Sequence, residues 1–200
     1  MPQARLHITG ASGAGTTTLG RALAQRLAMP HFDTDDVFWL PTDPPYRRKR
    51  DVAERLHLLN ALLGERRDWV LSGSLDSWGG PVVPLFDLVV WLDVPTDIRL
   101  TRLAARQLVR YGRAAIAPGG VMHAQHNDFL DWAADYDHGL RAGRNRHRHE
   151  AWLMELTCPV LRLDGNRPTR SLMREVLAAL AGALPRTPPG GFAPWTPTRG

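Results

Sequence analysis

Cysteine is almost absent from this 200-residue chain, and so is lysine. The single thiol, Cys158, has no partner within the chain, which excludes an internal disulfide framework and fits a reducing compartment. No apolar run approaches the ~18 residues that a membrane-crossing helix needs. Met1 to Gly10 lacks an apolar stretch of the secretory kind. A soluble cytoplasmic protein without a membrane partner is therefore expected. Complete zinc spacings are missing too: His123-x-x-His126, Asp135-x-Asp137-His138 and His147-x-His149 are fragments, and packed or surface histidines are the expectation. Internal repeats are not evident. Lys49 is the one lysine among 25 basic residues, the rest being arginine, and the formal charge is +5. Arginine forks suit phosphate, so the basicity points to a phosphate-bearing partner without separating a nucleotide from a nucleic acid.

With 44% hydrophobic residues, the chain can bury the core of one domain. Leu6–Thr9, His31–Asp33, Trp69–Ser72, Asp87–Asp93 and Pro159–Leu163 read as five strands. Helical spacing separates them. It runs through Leu19, Ala22, Leu23 and Leu27, and then through Asp51–Leu63, with Val52, Leu56, Leu59 and Leu63 on one stripe and Gly64 closing it. Pro95 and Thr96 open a long helix with Leu100, Leu103 and Ala104 inward and many arginines outward. Val121–Asp137 repeats Met122, His126, Phe129, Ala133 and Tyr136, and Pro168 opens a last helix through Leu172, Val176, Leu177 and Leu180. Residues 40–50 and 111–120 read as loops, and Arg141–His149 as a basic stretch leading into a further helix. Residues 185–200 read as a disordered Pro/Gly-rich tail. Strands alternating with helices imply a parallel sheet with right-handed crossovers. Ligands then sit beyond the carboxyl ends of the strands, which would gather Gly10–Gly20, Asp33–Asp36 and Ser72–Asp76 into one cleft.

Gly10-Ala11-Ser12-Gly13-Ala14-Gly15-Thr16-Thr17 has the spacing of the phosphate-cradling loop G-x-x-x-x-G-K-[ST], between a strand and a helix as that motif requires. Glycines let the backbone turn left-handed and bring its N–H groups to an anion. The following helix directs its positive end to the same spot, and the Thr17 hydroxyl is placed to ligate Mg²⁺. The lysine position holds Thr16 instead.

Several motifs in order resemble the small P-loop kinases, the group containing adenylate and shikimate kinases. Gly13–Gly20 is similar to their G-x-G-K-[ST]-T-x-G run, and Phe32-Asp33-Thr34-Asp35 to the F-x-D-T-D run of shikimate kinases. Pro95–Arg106 resembles the P-x-[DE]…R-x-x-x-R helix of adenylate kinases, and Asp164-Gly165-Asn166-Arg167-Pro168 their D-G-x-[KR]-P loop. The resemblance implies a three-layer α/β/α P-loop NTPase domain over residues 1–184, with a five-stranded parallel sheet. It also implies an acceptor-side insertion near 36–68 and a helical lid region near 111–150. The ligands it implies are ATP or another nucleoside triphosphate, Mg²⁺, and a small acceptor, either a nucleoside monophosphate or a hydroxyl metabolite. Gly10, Ser12, Gly13, Ala14, Gly15, Thr16, Thr17 and Thr18 would hold the donor phosphates, with Thr17 on the metal. Asp33 would orient a metal-bound water, and Asp35 would hold and deprotonate the acceptor hydroxyl. Arg102 would lie against the donor base or phosphates, Arg106 would reach the transferring phosphoryl group, and the backbone around Gly165 and Arg167 would contact the base.

Two departures shape the expectation. Thr16 removes the cation that bridges the terminal phosphates; one such contact contributes roughly 1.5–3 kcal/mol to binding. The charge must then come from Arg106, Arg110, Arg113 or the arginines of 141–148. Ser72-Gly73-Ser74 matches neither the D-G-F-P-R run of adenylate kinases nor the glycine triplet of shikimate kinases, so the acceptor is expected to be neither AMP nor shikimate. Two other classes compete with a kinase: a nucleotide-binding protein whose catalysis has decayed, and a basic nucleic-acid binder. Retention of Thr17, Asp33, Asp35, Arg102 and Arg106 argues against decay. The 141–148 run lacks interleaved aromatics, which disfavours nucleic acid.

Overall fold

The computed structural model describes residues 3–182, so the tail expected at 185–200 lies outside the described residues. The elements run β1 (Arg5–Gly10), α1 (Thr16–Leu27), β2 (His31–Asp33), α2 (Thr34–Phe38), α3 (Val52–Leu63) and β3 (Trp69–Ser72). A 3-10 turn (Gly80–Leu85) leads to β4 (Leu88–Asp93), α4 (Thr96–Tyr111), α5 (Arg113–Ile116) and α6 (His123–Ala134). A second 3-10 turn (Asp135–Asp137) precedes α7 (Arg146–Met154), β5 (Val160–Asp164) and α8 (Thr169–Gly182). The five strands form one sheet in the order β2-β3-β1-β4-β5, and every pair is parallel. Among the described residues no helix is long and apolar enough to cross a membrane.

Strand side chains alternate between faces, and β4 splits its apolar residues accordingly. Leu88, Val90 and Leu92 join Leu19 and Leu23 of α1 and Leu172, Val176 and Leu180 of α8. Val89 and Trp91 join Leu56, Leu59 and Leu63 of α3 and Leu153 of α7. Helices thus cover both faces, as a parallel sheet requires. Each fully buried leucine or isoleucine contributes roughly 1.5–3 kcal/mol by leaving water.

The helix expected over Asp51–Leu63 is present. The Asp51 side chain caps it by accepting from the Glu54 N–H (2.8 Å), and Gly64 ends it. Some expectations fail in detail. Val52 is 46% exposed, because it sits at the first turn beyond the reach of the sheet. Residues 111–120 are not one loop: α4 continues to Tyr111 and α5 adds a turn. One arginine of α4 turns inward. Arg99 is fully buried, its charge met by the carbonyls of Val94 (3.0 Å) and Ala133 (3.1 Å), the Thr96 hydroxyl (2.6 Å) and the Asp137 carboxylate (3.1 Å). That clamp ties α4 to α6.

Candidate active site

The site begins where β1 runs out. After Gly10 the chain turns back on itself, Ala14 N–H donating to the Ala11 carbonyl at 3.0 Å, and Gly13 and Gly15 take φ of +85° and +95°. A Cβ on Gly13 would come within 2.7 Å of the Arg99 carbonyl, so the loop needs glycine there for packing as well as conformation. No side chain caps the N-terminus of α1. Its first-turn N–H groups are therefore left for an external acceptor, and the helix dipole favours an anion there.

The strand order puts β3 between β1 and β2, with Ser72 in register with both Asp33 and Ile8. The carboxyl ends of three strands and the start of α1 consequently converge. Asp33 is their common acceptor: one oxygen takes the Thr17 hydroxyl (2.7 Å) and the Ser72 hydroxyl (2.8 Å), and the other caps α2 through the Asp35 N–H (3.1 Å). His31 Nε2 lies 3.0 Å from the same Ser72 oxygen. Ser72 stands out in the sequence only as a departure. What it does here depends on a register between strands far apart in the chain. A hydroxyl and a carboxylate from different elements at hydrogen-bonding distance form the hard-oxygen donor set that magnesium prefers. Together with the uncapped helix start, they fit a magnesium-bound polyphosphate.

Asp35 opens onto the cleft beside Asp33. Desolvation by the surrounding walls and the Asp33 charge raise its carboxyl above the ordinary value, against the pull of Arg144, Trp39 and Arg106. Desolvation and the like charge of Arg110 lower Arg106, which faces Asp35, Tyr46 and Asp33. A depression of about 470 Å³ extends from Asp35 along Asp36, Trp39, Thr42, Tyr46 and Arg50. The basic cluster of 47–50 is largely spent on the scaffold. Arg50 pairs with Glu54, Arg47 reaches the Met122 sulfur at 3.7 Å, and Lys49 lies 5.9 Å over the Phe38 ring.

Arg102 bridges the two loops of the cleft edge. It donates to the carbonyls of Gly13 (3.4 Å) and Gly165 (3.3 Å) and to Asn166 Oδ1 (3.2 Å). Gly165 itself presses on the glycine loop, where an added Cβ would stand 3.2 Å from the Ala14 carbonyl. Arg167 turns away and pairs with Glu175 of α8. Thr16 is half-buried and Thr18 exposed.

Residues 135–149 close the other side of the cleft. Arg146 bridges Asp93 (2.6 Å) and Asp137 (2.7 Å). His149 is buried between the Thr9 hydroxyl of β1 (2.9 Å) and the Tyr136 hydroxyl (2.8 Å). Burial, then the nearby charge of Arg144 and smaller contributions from His7 and Arg146, hold its imidazole down at about 3. A short polar chain thus fastens this segment to the strand that ends in the glycine loop.

The sheet order and the glycine loop between β1 and α1 define a P-loop fold. A shikimate kinase from Acinetobacter baumannii solved with shikimate superposes with a TM-score of 0.55 over 90% of this chain and 93% of that one. The identity is 16%, so the likeness is one of fold. No family model matches the chain. The adenylate kinase of Moorella thermoacetica is 29% identical over 147 residues, 62% of this chain and 65% of that enzyme. The chain is also 42% identical over 176 residues to the uncharacterized protein YqaC of Bacillus subtilis (strain 168), covering 88% of itself and 97% of that protein, and it belongs to the same family.

Proposed function

We propose that the protein transfers the γ-phosphoryl group of ATP, or another nucleoside triphosphate, to the hydroxyl of a small molecule. The acceptor would be a nucleoside monophosphate or a hydroxyl metabolite lying in the depression beside Asp35. The observation that carries this reading is the Thr17–Asp33–Ser72 cluster at the foot of an uncapped helix, with a second carboxylate next to it. Phosphoryl transfer asks a protein mainly for positioning and for positive charge around the transferred group.

The amides from Gly10 to Thr18 hold the donor phosphates. Thr17 would offer its hydroxyl to magnesium, and Asp33 would hold the ion's water shell in place. Magnesium, when bound, offsets phosphate charge and fixes the donor. Arg102 lies against the donor, and the backbone around Gly165 and Arg167 meets its base. Asp35 accepts the proton of the acceptor hydroxyl as its oxygen bonds to phosphorus and the nucleoside diphosphate leaves. Arg106 supplies charge to the group in transit. A carboxyl raised above its usual range suits the base role, because it gains affinity for a proton.

The test is a panel of nucleoside monophosphates, sugars and hydroxy acids incubated with Mg-ATP and the full chain while ADP release is followed. One acceptor class should release ADP well above the background without acceptor. If none does, although the nucleotide binds, the transfer assignment is wrong and a binding role remains.

A further inference from the structure

We propose that Arg144 delivers, from the segment closing the cleft, the positive charge that the glycine loop lacks at Thr16. The inference deepens the phosphoryl-transfer reading and rests on it. The basic run 141–148 holds four arginines, and three of them are neutralised. Arg141 pairs with Asp131 (3.7 Å), Arg146 with Asp93 and Asp137, and Arg148 with Asp76 (3.3 Å). Among the described residues Arg144 has no ion pair. Its Nη2 donates instead to the Ser12 hydroxyl of the glycine loop at 2.8 Å, and its Nε is enclosed without a hydrogen-bond partner.

Its surroundings make that arrangement incomplete. The guanidinium stands 5.8 Å over the Trp132 ring. Burial pushes its pKa below the ordinary arginine value, with Tyr136, Asp35 and Asp76 pulling the other way and Arg99 pushing with burial. A guanidinium stays charged even so. A partly buried cation without an ion pair carries a desolvation cost, and an anion arriving beside Ser12 would relieve it. The hydrogen bond to Ser12 and the field of Asp35 place the head between the loop and the proposed base, which is where the terminal phosphates would lie. Among the described residues no rival meets the same conditions: Arg99 is consumed by its clamp, Arg110 sits 4.7 Å over Tyr46, and Arg106 makes no hydrogen bond to the loop.

The placement does not wait for closure. Asn145 caps α7 through the Arg148 N–H (2.9 Å), Arg146 grips Asp93 at the end of β4, and His149 grips Thr9 of β1. Arg144 is thus held from the residues that follow it, over a loop whose lysine position carries only a short neutral side chain.

The experiment is calorimetric titration of the full chain with Mg-ATP, comparing wild type, R144A, R141A and the double variant T16K/R144A. Loss of a charge-assisted contact predicts that R144A binds about tenfold or more weakly, that R141A stays within about twofold, and that T16K restores most of the lost affinity. Should R144A not fold, R144K against R144Q gives the same contrast, with only R144Q weakened. Wild-type affinity in R144A overturns the inference while leaving the phosphate loop intact. So does a loss that T16K fails to repair, which would make Arg144 a general contact rather than a replacement. No binding by the wild type would instead defeat the underlying reading.

Discussion

The two faces of the sheet are built differently. On the α1/α8 face β1 offers Leu6 and Ile8 to the apolar cluster shared with α1 and α8. On the other face the same strand offers His7 and Thr9, both fully buried. His7 stacks on Phe86 at 4.9 Å and reaches the Leu71 carbonyl at 3.2 Å, while Thr9 is tied to His149. The first face supplies packing energy and fixes the strands. The second spends buried polar groups to bind the 135–149 segment to the strand that feeds the glycine loop. Stability and site assembly are thus divided between opposite faces of one strand.

That division can be broken most forcefully at the apolar face. Leu23→Ala, at a site with no exposed surface, is expected to lose about 2–5 kcal/mol in denaturant unfolding, with the Mg-ATP affinity of the folded fraction unchanged. A change in affinity of tenfold would show that the faces are not separable. The polar face predicts acid sensitivity. Burial pushes His7 down to about 4 and His149 to about 3. Below pH 6.5 the unfolded chain takes up protons that these two imidazoles refuse, so stability falls with pH, by about 1.4 kcal/mol per unit for each histidine until its folded value is reached. Asp35 and Asp36, whose carboxyls are raised, act with the opposite sign but only around the carboxylate range. Unfolding curves between pH 7 and 5 should show the decline, and H7F/H149F should flatten it; a flat wild-type profile would contradict the burial of neutral imidazoles.

A sharper test of the division is Tyr136→Phe, which removes one hydrogen bond to His149. About 1 kcal/mol of stability should go, and Mg-ATP affinity should fall with it, unlike Leu23→Ala. The smallest effect is expected at Val52→Ala, which should change unfolding by less than about 0.5 kcal/mol; a larger loss would mean that its exposed stripe position is covered by something.

Much of this architecture is legible in the amino-acid sequence. The alternation of β4, the Asp51 cap with its Gly64 stop, and the glycine loop between strand and helix are all local signals with period or spacing. What escapes such signals is set by long-range partners. Arg99 reads as a surface arginine because the carbonyl of Ala133 that receives it lies far along the chain. The five-residue helix α2, capped by Asp33, is too short to show a period. The basic run 141–148 is legible as a source of charge, but which arginine remains unpaired depends on where Asp76, Asp93, Asp131 and Asp137 fall in space. For the same reason the sequence does not reveal that the basic cluster 47–50 is mostly tied to Glu54, Met122 and Phe38.

Main-chain amides at the start of α1, with Thr17 and Asp33 beside them, are proposed to receive a magnesium-bound polyphosphate. Titrating the purified full chain with a nucleoside triphosphate by calorimetry, with magnesium and again with chelator, tests this directly. Saturable heat at or below millimolar concentration that weakens when magnesium is removed is the predicted result. No heat from any nucleoside triphosphate at millimolar concentration, with magnesium present, would contradict it.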